Sequence, residues 1–333
     1  MGSNDALTAG PVTEKEKEGA STPAATTTPH ANIPEIMSSL PTAAGFPPFQ
    51  LRRYGGLWLT DRYLEFIGAG AFHARFKPRP TDVLLASFPK SGTTWLKALG
   101  FCALNRVAHP PSAGSGHPLH CGSPHDLVRF VEGHDDLLYE ELPHPRLLAT
   151  HLPYSLLPDG VTGKEDGSGG RIVYVCRDPK DTLVSFWHFH QKTTSVLQQV
   201  PGMSASSPAM PTFEEAFELF CQGQTVTGCL KKMASFMGCP FSPEEEAAGV
   251  VREVVELCSL GKLKGLQVNK SGSTVLGIKN EAFFRSGTVG DWSSCMTPAM
   301  AAQLDGIVAE ALRGSTLTFG PLAPPIICEP GFL

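Results

Sequence analysis

The pattern that most restricts this chain is an apolar run that stops at a tight cationic turn and reopens as a helix. Asp82 to Phe88 (DVLLASF) reads as a strand and Pro89-Lys90-Ser91-Gly92 as the turn, and Thr93 to Leu104 carries helical spacing. Two more runs share this character. Arg146 to Thr150 (RLLAT) is a short strand that ends at His151. Arg171 to Cys176 (RIVYVC) is β-branched and ends at Arg177. Asp178 is a good N-cap and Pro179 a good first helical residue, which predicts a helix from there to about His190. Apolar strands alternating with helices specify an α/β class: a single domain with a central parallel sheet flanked by helices. Ligands of such sheets bind beyond the carboxyl ends of the strands. Lys90, His151 and Arg177 all fall just past such ends.

The turn has the chemistry of an anion site. Free N–H groups at a helix N-terminus, the positive end of its dipole, the hydroxyls of Thr93 and Thr94 and the charge of Lys90 converge there. A nucleotide-triphosphate loop needs its Lys after the last Gly. Here Lys90 precedes the only Gly of the turn, and no carboxylate is placed to hold the magnesium that phosphoryl transfer uses. A sulfuryl group carries less charge than a phosphoryl group, so its transfer without metal is physically reasonable.

Four separate motifs, in order, give the chain a resemblance to cytosolic sulfotransferases across roughly residues 45 to 320. FPKSGTTW resembles their 5′-phosphosulfate loop, VCRDPKDTLVSFWHF their 3′-phosphate motif and FFRSGTVGDW their C-terminal RKGxxGDW element. ATHLPYSLLP, HPLHCGSPHDLVRF and GCPFSPEEE look like the plant branch, which acts on flavonoids, steroids and similar small alcohols. The resemblance implies 3′-phosphoadenosine 5′-phosphosulfate as co-substrate, no metal, and a small hydroxylated acceptor. It implies His151 as general base, a task suited to a neutral imidazole. It implies Lys90 on the bridging oxygen and leaving phosphate, with Ser91, Gly92, Thr93 and Thr94 around the 5′-phosphosulfate and Trp95 near the adenine. Arg177 and Ser185, with Arg285, Ser286 and Gly287, would hold the 3′-phosphate.

Three departures from the family pattern lie on the donor side. The stretch between 190 and 238 is shorter than the family's, as if a helix and a strand that carries an adenine-pocket tyrosine were missing. Ser259-Leu260 stands where the family has Ser-Phe, removing about 1 kcal/mol of stacking. The RKG triplet reads Arg285-Ser286-Gly287, and losing that charge-assisted bond costs about 1.5–3 kcal/mol. The alternative reading is therefore a catalytically impaired relative with a damaged adenine pocket, acting at most as a small-molecule binding protein.

Other features point to bland roles. His117, His120, Cys121 and His125 crowd together without a distant ligand pair to complete a zinc tetrahedron. Asn269-Lys270-Ser271 is a formal glycosylation sequon. His188 and His190 sit on a helix as packing or surface residues. Lys270, Thr274 and Val275 partly match an animal dimer motif, but Lys279 reverses the charge of its expected Glu, leaving a homodimer weakly supported. Net charge is -5, which argues against bulk attraction to nucleic acid or acidic membrane. The 9 cysteines lack a CxxC pair and read as reduced core thiols of a cytoplasmic protein. No apolar run approaches a membrane span, and the start lacks the apolar core of a signal peptide. Residues 1 to about 45 read as a disordered tail, 46 to 320 as the domain, and 321 to 333 as an irregular tail. A last helix is expected from Thr297 (cap) and Pro298, ended by Gly314.

Overall fold

The computed structural model describes residues 30–45, 49–69, 76–133, 139, 141–162, 170–197, 199, 212–220, 241–274 and 276–313. A short helix, Ile33–Ile36, precedes an antiparallel meander of β1 (Thr42–Ala44), β2 (Gln50–Tyr54) and β3 (Leu57–Thr60), in that order across the sheet. Gly55 and Gly56 join β2 to β3 with φ of 57° and 82°. A two-residue hairpin with both φ positive is the turn whose twist matches its strands, and glycine reaches it without strain.

The site rests on a second sheet, parallel throughout, of β4 (Val83–Ser87), β5 (Leu147–Thr150) and β6 (Arg171–Val175) in the order β5-β4-β6. Val83 lies opposite both Leu147 and Arg171, and Ala86 opposite both Thr150 and Tyr174. This register brings all three carboxyl ends to one rim. Every residue of β4 is buried, as a central strand covered on both faces requires. Val83 and Leu85 face a cluster with Leu96, Leu99 and Ala103 of the helix Thr93–Asn105, while Leu84 joins Ile33, Leu64, Ile67 and Leu148 on the opposite face. Alternation along a strand produces this split. Helix and sheet touch closely at Gly100, where a Cβ would lie 3.2 Å from Leu85 Cδ1.

Each expected strand is shorter by its polar or outgoing end. Asp82 and Arg146 leave the strands to form a buried ion pair in which Arg146 Nε donates to Asp82 Oδ1 over 2.9 Å. Arg146 also donates to the carbonyls of Lys77 and Tyr139. β6 departs from the expected double burial: most of it is half-buried, and Tyr174 is 49% exposed. The helix expected to stop near His190 continues to Leu197, because Thr193, Thr194 and Leu197 extend its buried face. The last helix spans Pro298–Ala311, with Thr297 Oγ1 accepting from Met300 N, and Leu312 caps its end. Gly314 lies outside the described residues.

Regular structure begins at Ile33, well before the expected boundary near 45. Ile33 is fully buried against Leu64 and Ile67, so one apolar side chain anchors the Pro- and Thr-rich segment. Residues 1–29, the 321–333 segment, and the stretch between 190 and 238 apart from 190–197, 199 and 212–220 lie outside the described residues. Among the described cysteines, Cys102, Cys176 and Cys258 are buried, Cys121 is exposed, and all carry free thiols. No described helix is long and apolar enough to cross a membrane.

Candidate active site

The turn after β4 is built for close approach. Lys90 has φ 68° and Gly92 φ 108°, so two residues within three take left-handed backbone. For Lys90 that conformation is unusual, and such strain clusters at functional sites. Gly92 caps the helix Thr93–Asn105, and a Cβ there would meet no atom within 4 Å. The helix end therefore faces open space. Ser91 Oγ is buried with no hydrogen-bond partner among the described residues. An unsatisfied buried hydroxyl beside free helix N–H groups fits an incoming oxyanion.

Lys90 Nζ lies 4.0 Å from the ring centroid of Phe189 and 5.4 Å from that of Phe283. Burial, then the charges of Arg177, Arg285 and Lys192, pull its pKa down to about 7. That electrostatic reach places Lys90, Arg177 and Arg285 on one rim. A site that strains its own cations is one prepared for an anion of higher charge.

His151 follows β5. Its Nδ1 lies 2.7 Å from the carbonyl oxygen of Ser87, at the end of β4. Phe130 packs against its ring at 4.5 Å. Burial and the nearby Lys97 and Lys90 lower its pKa to about 4, against the opposing effect of the Ser87 carbonyl. The imidazole is neutral at neutral pH. Ser87 Oγ bonds Thr93 Oγ1 at 2.6 Å, so the strand end whose carbonyl holds His151 also holds the turn.

Arg177 leaves β6 and donates to Thr288 O over 3.3 Å. It pairs with Asp181 one helical turn on, at 3.6 Å. Asp178 caps that helix by accepting from Lys180 N at 2.8 Å. Ser185 is buried on the same face as Asp181, four residues further. Arg285 forms an ion pair with Asp291, yet its buried Nε finds no hydrogen-bond partner among the described residues. Ser286 bonds Thr288 at 2.8 Å on the exposed rim. Gly287, with φ 70°, sits so tightly on Leu260 that a side chain there would force Leu260 to move. Trp95 lies on the first helical turn and is 47% exposed. The structure thus links the Lys90–Thr94 turn to His151 through Ser87, which bonds Thr93 and holds the imidazole, and it sets Lys90 within electrostatic reach of Arg177 and Arg285.

Three functional neighbours escape a reading of motifs. Glu132 accepts from His151 N at 2.5 Å and from Thr150 Oγ1 at 3.0 Å, and burial raises its pKa to about 7. Lys97 is fully buried, with Nζ 3.3 Å from the Phe130 ring centroid. His125 bonds both Thr94 and Lys97. The signal for Lys97 is present in the sequence, as the one charge inside the apolar helix LKALGFCAL.

The remaining features take ordinary roles. His117 Nδ1 accepts from Leu119 N as a helix cap. His190 is buried, while His188 contacts Gln191 and Cys295. The Asn269 side chain is buried and donates to Leu263 O over 2.9 Å, which withholds it from glycosylation. Ser273 and Lys279 pair in an isolated antiparallel bridge, and Val275 lies outside the described residues.

A parallel α/β sheet whose rim joins a helix-capped anion loop, a neutral buried histidine and two arginines defines a group-transfer enzyme handling a phosphorylated donor. The chain belongs to the sulfotransferase family: the sulfotransferase domain matches residues 80–230 and 224–316. It is 37% identical to cytosolic sulfotransferase 5 of Arabidopsis thaliana over 325 residues, taking in 85% of this chain and 95% of that protein. It is 35% identical to cytosolic sulfotransferase 12 of the same plant, covering 85% and 93%. Among solved structures it is similar to a candidate steroid sulphotransferase of Arabidopsis thaliana, with TM-score 0.59, 30% identity, and 86% and 94% of the two chains covered. A retinol dehydratase bound to androsterone and the inactive cofactor PAP shares the fold at 17% identity and TM-score 0.59, over 87% of this chain and 95% of that one.

Proposed function

We propose that the chain moves a sulfuryl group from 3′-phosphoadenosine 5′-phosphosulfate to a hydroxyl of a small phenolic, flavonoid or steroid-like acceptor, in the cytosol where its plant relatives are named. The observation that carries this reading is the convergence of Lys90, His151, Arg177 and Arg285 on one sheet rim, with Ser91 Oγ and Arg285 Nε left as buried unpaired donors.

His151 is the base. A carbonyl oxygen only accepts, so Nδ1 carries the hydrogen given to Ser87, and the Nε2 lone pair is left for the acceptor's proton. The acceptor oxygen forms its bond to sulfur as the bond from sulfur to the bridging oxygen breaks. Lys90 stabilises the charge that collects on the leaving phosphate. Ser91, Gly92, Thr93 and Thr94 hold the 5′ side, Arg177, Ser185, Arg285, Ser286 and Gly287 the 3′-phosphate, and Trp95 the adenine edge. The products are a sulfate ester and 3′-phosphoadenosine 5′-phosphate.

Incubation with labelled donor and a panel of phenols, flavonoids and steroids tests the reaction. Transfer to no acceptor speaks against it. His151→Ala is expected to abolish turnover while donor binding stays, and retained turnover removes the base.

A second reading, a relative with a damaged donor pocket, draws on two observations. The family match breaks and restarts at 224–230, and the alignment to cytosolic sulfotransferase 5 is longer than the part of this chain that enters it. Leu260, not an aromatic ring, presses on Gly287. Calorimetric titration with 3′-phosphoadenosine 5′-phosphate separates the readings: tight binding supports the enzyme, and none supports the impaired relative.

A further inference from the structure

Lys97 contributes no reacting atom to the reaction above, yet it is a fully buried amine beside it. Its Nζ lies 3.3 Å from His125 Nδ1, and His125 Nε2 lies 2.9 Å from Thr94 Oγ1. His125 is packed between Phe283, tilted at 4.3 Å, and Phe130, stacked at 5.8 Å, which restricts the ring. Burial pulls the Lys97 pKa well below the ordinary lysine value; Glu132 and Asp126 oppose it, and the Phe130 face at 3.3 Å favours the ammonium as well.

The direction of this chain of hydrogen bonds follows from counting donors. An ammonium has three hydrogens and no lone pair. Charged Lys97 can therefore only donate to His125 Nδ1. That leaves His125 with its single hydrogen on Nε2, where it must be given to Thr94 Oγ1. Thr94 has one hydroxyl hydrogen and two lone pairs; with one lone pair accepting from His125, its hydrogen is directed away from that ring and is left for an incoming acceptor. Without Lys97 the imidazole is free to carry its hydrogen on Nδ1. Thr94 then turns its own hydrogen inward and shows lone pairs to an incoming anion.

We propose that Lys97 is a positioning residue that acts through His125 to fix the Thr94 hydroxyl as a hydrogen-bond donor to the sulfated nucleotide. This role rests on the donor lying on the Pro89–Thr94 turn. It links a residue of the helix core to donor affinity with no contact of its own to the nucleotide.

A double-mutant cycle tests it, with 3′-phosphoadenosine 5′-phosphate as the probe. Lys97→Met removes the amine and keeps the volume. Its dissociation constant from the full-length protein is expected to rise about ten-fold, the worth of one charge-assisted hydrogen bond. His125→Phe keeps the ring packing and is expected to weaken binding by a similar factor. In a Thr94→Val background neither change has a further effect, because the hydroxyl they orient is gone. The donor KM rises in both single variants while the acceptor KM holds. Melting curves check that each variant folds, because Lys97→Met takes a cation away from buried Glu132, whereas His125→Phe removes no charge partner. Additive losses in the Thr94→Val background, or full affinity in Lys97→Met, overturn the relay while leaving the donor site intact. A wild-type protein that ignores the probe overturns the donor site and the relay together.

Discussion

His151 gives its Nδ1 hydrogen to the carbonyl oxygen of Ser87 across 2.7 Å, and that bond joins the residue after β5 to the end of the strand that leads into the Pro89–Thr94 turn. The two ends sit side by side because β4 and β5 pair in parallel with Ala86 opposite Thr150. Tautomer, orientation and distance from Lys90 are thereby set by backbone, not by a flexible side chain.

The free-enzyme pH profile follows from this arrangement. kcat/KM for the donor reports the groups of the unliganded protein. His151 must be neutral, and its pKa near 4 keeps it so down to that pH. Lys90 must be charged, and its pKa near 7 means the charge is lost above that pH. The profile is expected to rise through about 4, hold across the weakly acidic range and fall through about 7. A rise near 6.5, the ordinary histidine value, would show that His151 is not desolvated. Glu132 is the competing source of the alkaline limb, since it also titrates near 7. Glu132→Gln keeps that limb if Lys90 causes it.

Proton uptake on binding gives an independent reading of Lys90. Above pH 7 the amine of the empty site is largely neutral, held so by burial and by Arg177 and Arg285. A bound polyanion favours the charged form and raises the pKa. At pH 8, titration with 3′-phosphoadenosine 5′-phosphate is expected to take up close to one proton, seen as a binding enthalpy that depends on the ionisation enthalpy of the buffer. Heat that is the same in every buffer would mean that Lys90 is already charged.

Much of this was readable from local chemistry. Strand, turn and helix around Lys90 lie within about twenty residues, and Gly92, Asp178-Pro179 and Thr297-Pro298 act on their immediate neighbours. What escaped depends on chain segments meeting across the fold. Glu132 reaches His151 only because the segment bearing Phe130 runs alongside β5 at Ala149. His125 meets Lys97 because the short helix Pro124–Leu127 packs on the helix after the loop. Ile33 anchors its segment in a groove made by Leu64 and Ile67, which no local pattern announces. The shortening expected between 190 and 238 rests on the family's length alone, with no local pattern behind it, and most of that stretch lies outside the described residues.

Stability is expected to hinge on Asp82 and Arg146. Arg146 is fully buried, holds both oxygens of Asp82 and also satisfies two carbonyls at the base of the parallel sheet. Arg146→Leu leaves a buried carboxylate without its partner, a loss of about 3–5 kcal/mol. Asp82→Asn keeps most of the packing and costs less. Urea unfolding should rank wild type, Asp82→Asn and Arg146→Leu in falling order of midpoint. Equal midpoints would show that the pair adds nothing to the fold.

Asp181 offers a test of the distal clamp that leaves every donor-contacting side chain in place. Its buried carboxylate accepts from Gly290 N at 2.9 Å and Trp292 N at 3.1 Å, and it faces Arg177. The turn that carries Arg285 to Asp291 is thus pinned to the helix that follows β6 by one side chain with two accepting oxygens. Asparagine retains only one acceptor, and its amide then confronts an N–H. One buried donor goes unpaired, at a cost of about 1–3 kcal/mol. Asp181→Asn is expected to loosen the turn and let Arg177 and Arg285 drift apart, so that 3′-phosphoadenosine 5′-phosphate binds about ten-fold more weakly or worse. The acceptor KM should hold, since His151 and Glu132 are anchored to β4 and β5 instead. Donor affinity unchanged in Asp181→Asn, with the expected loss of thermal stability, would separate this turn from the nucleotide and leave Arg177 to bind it alone.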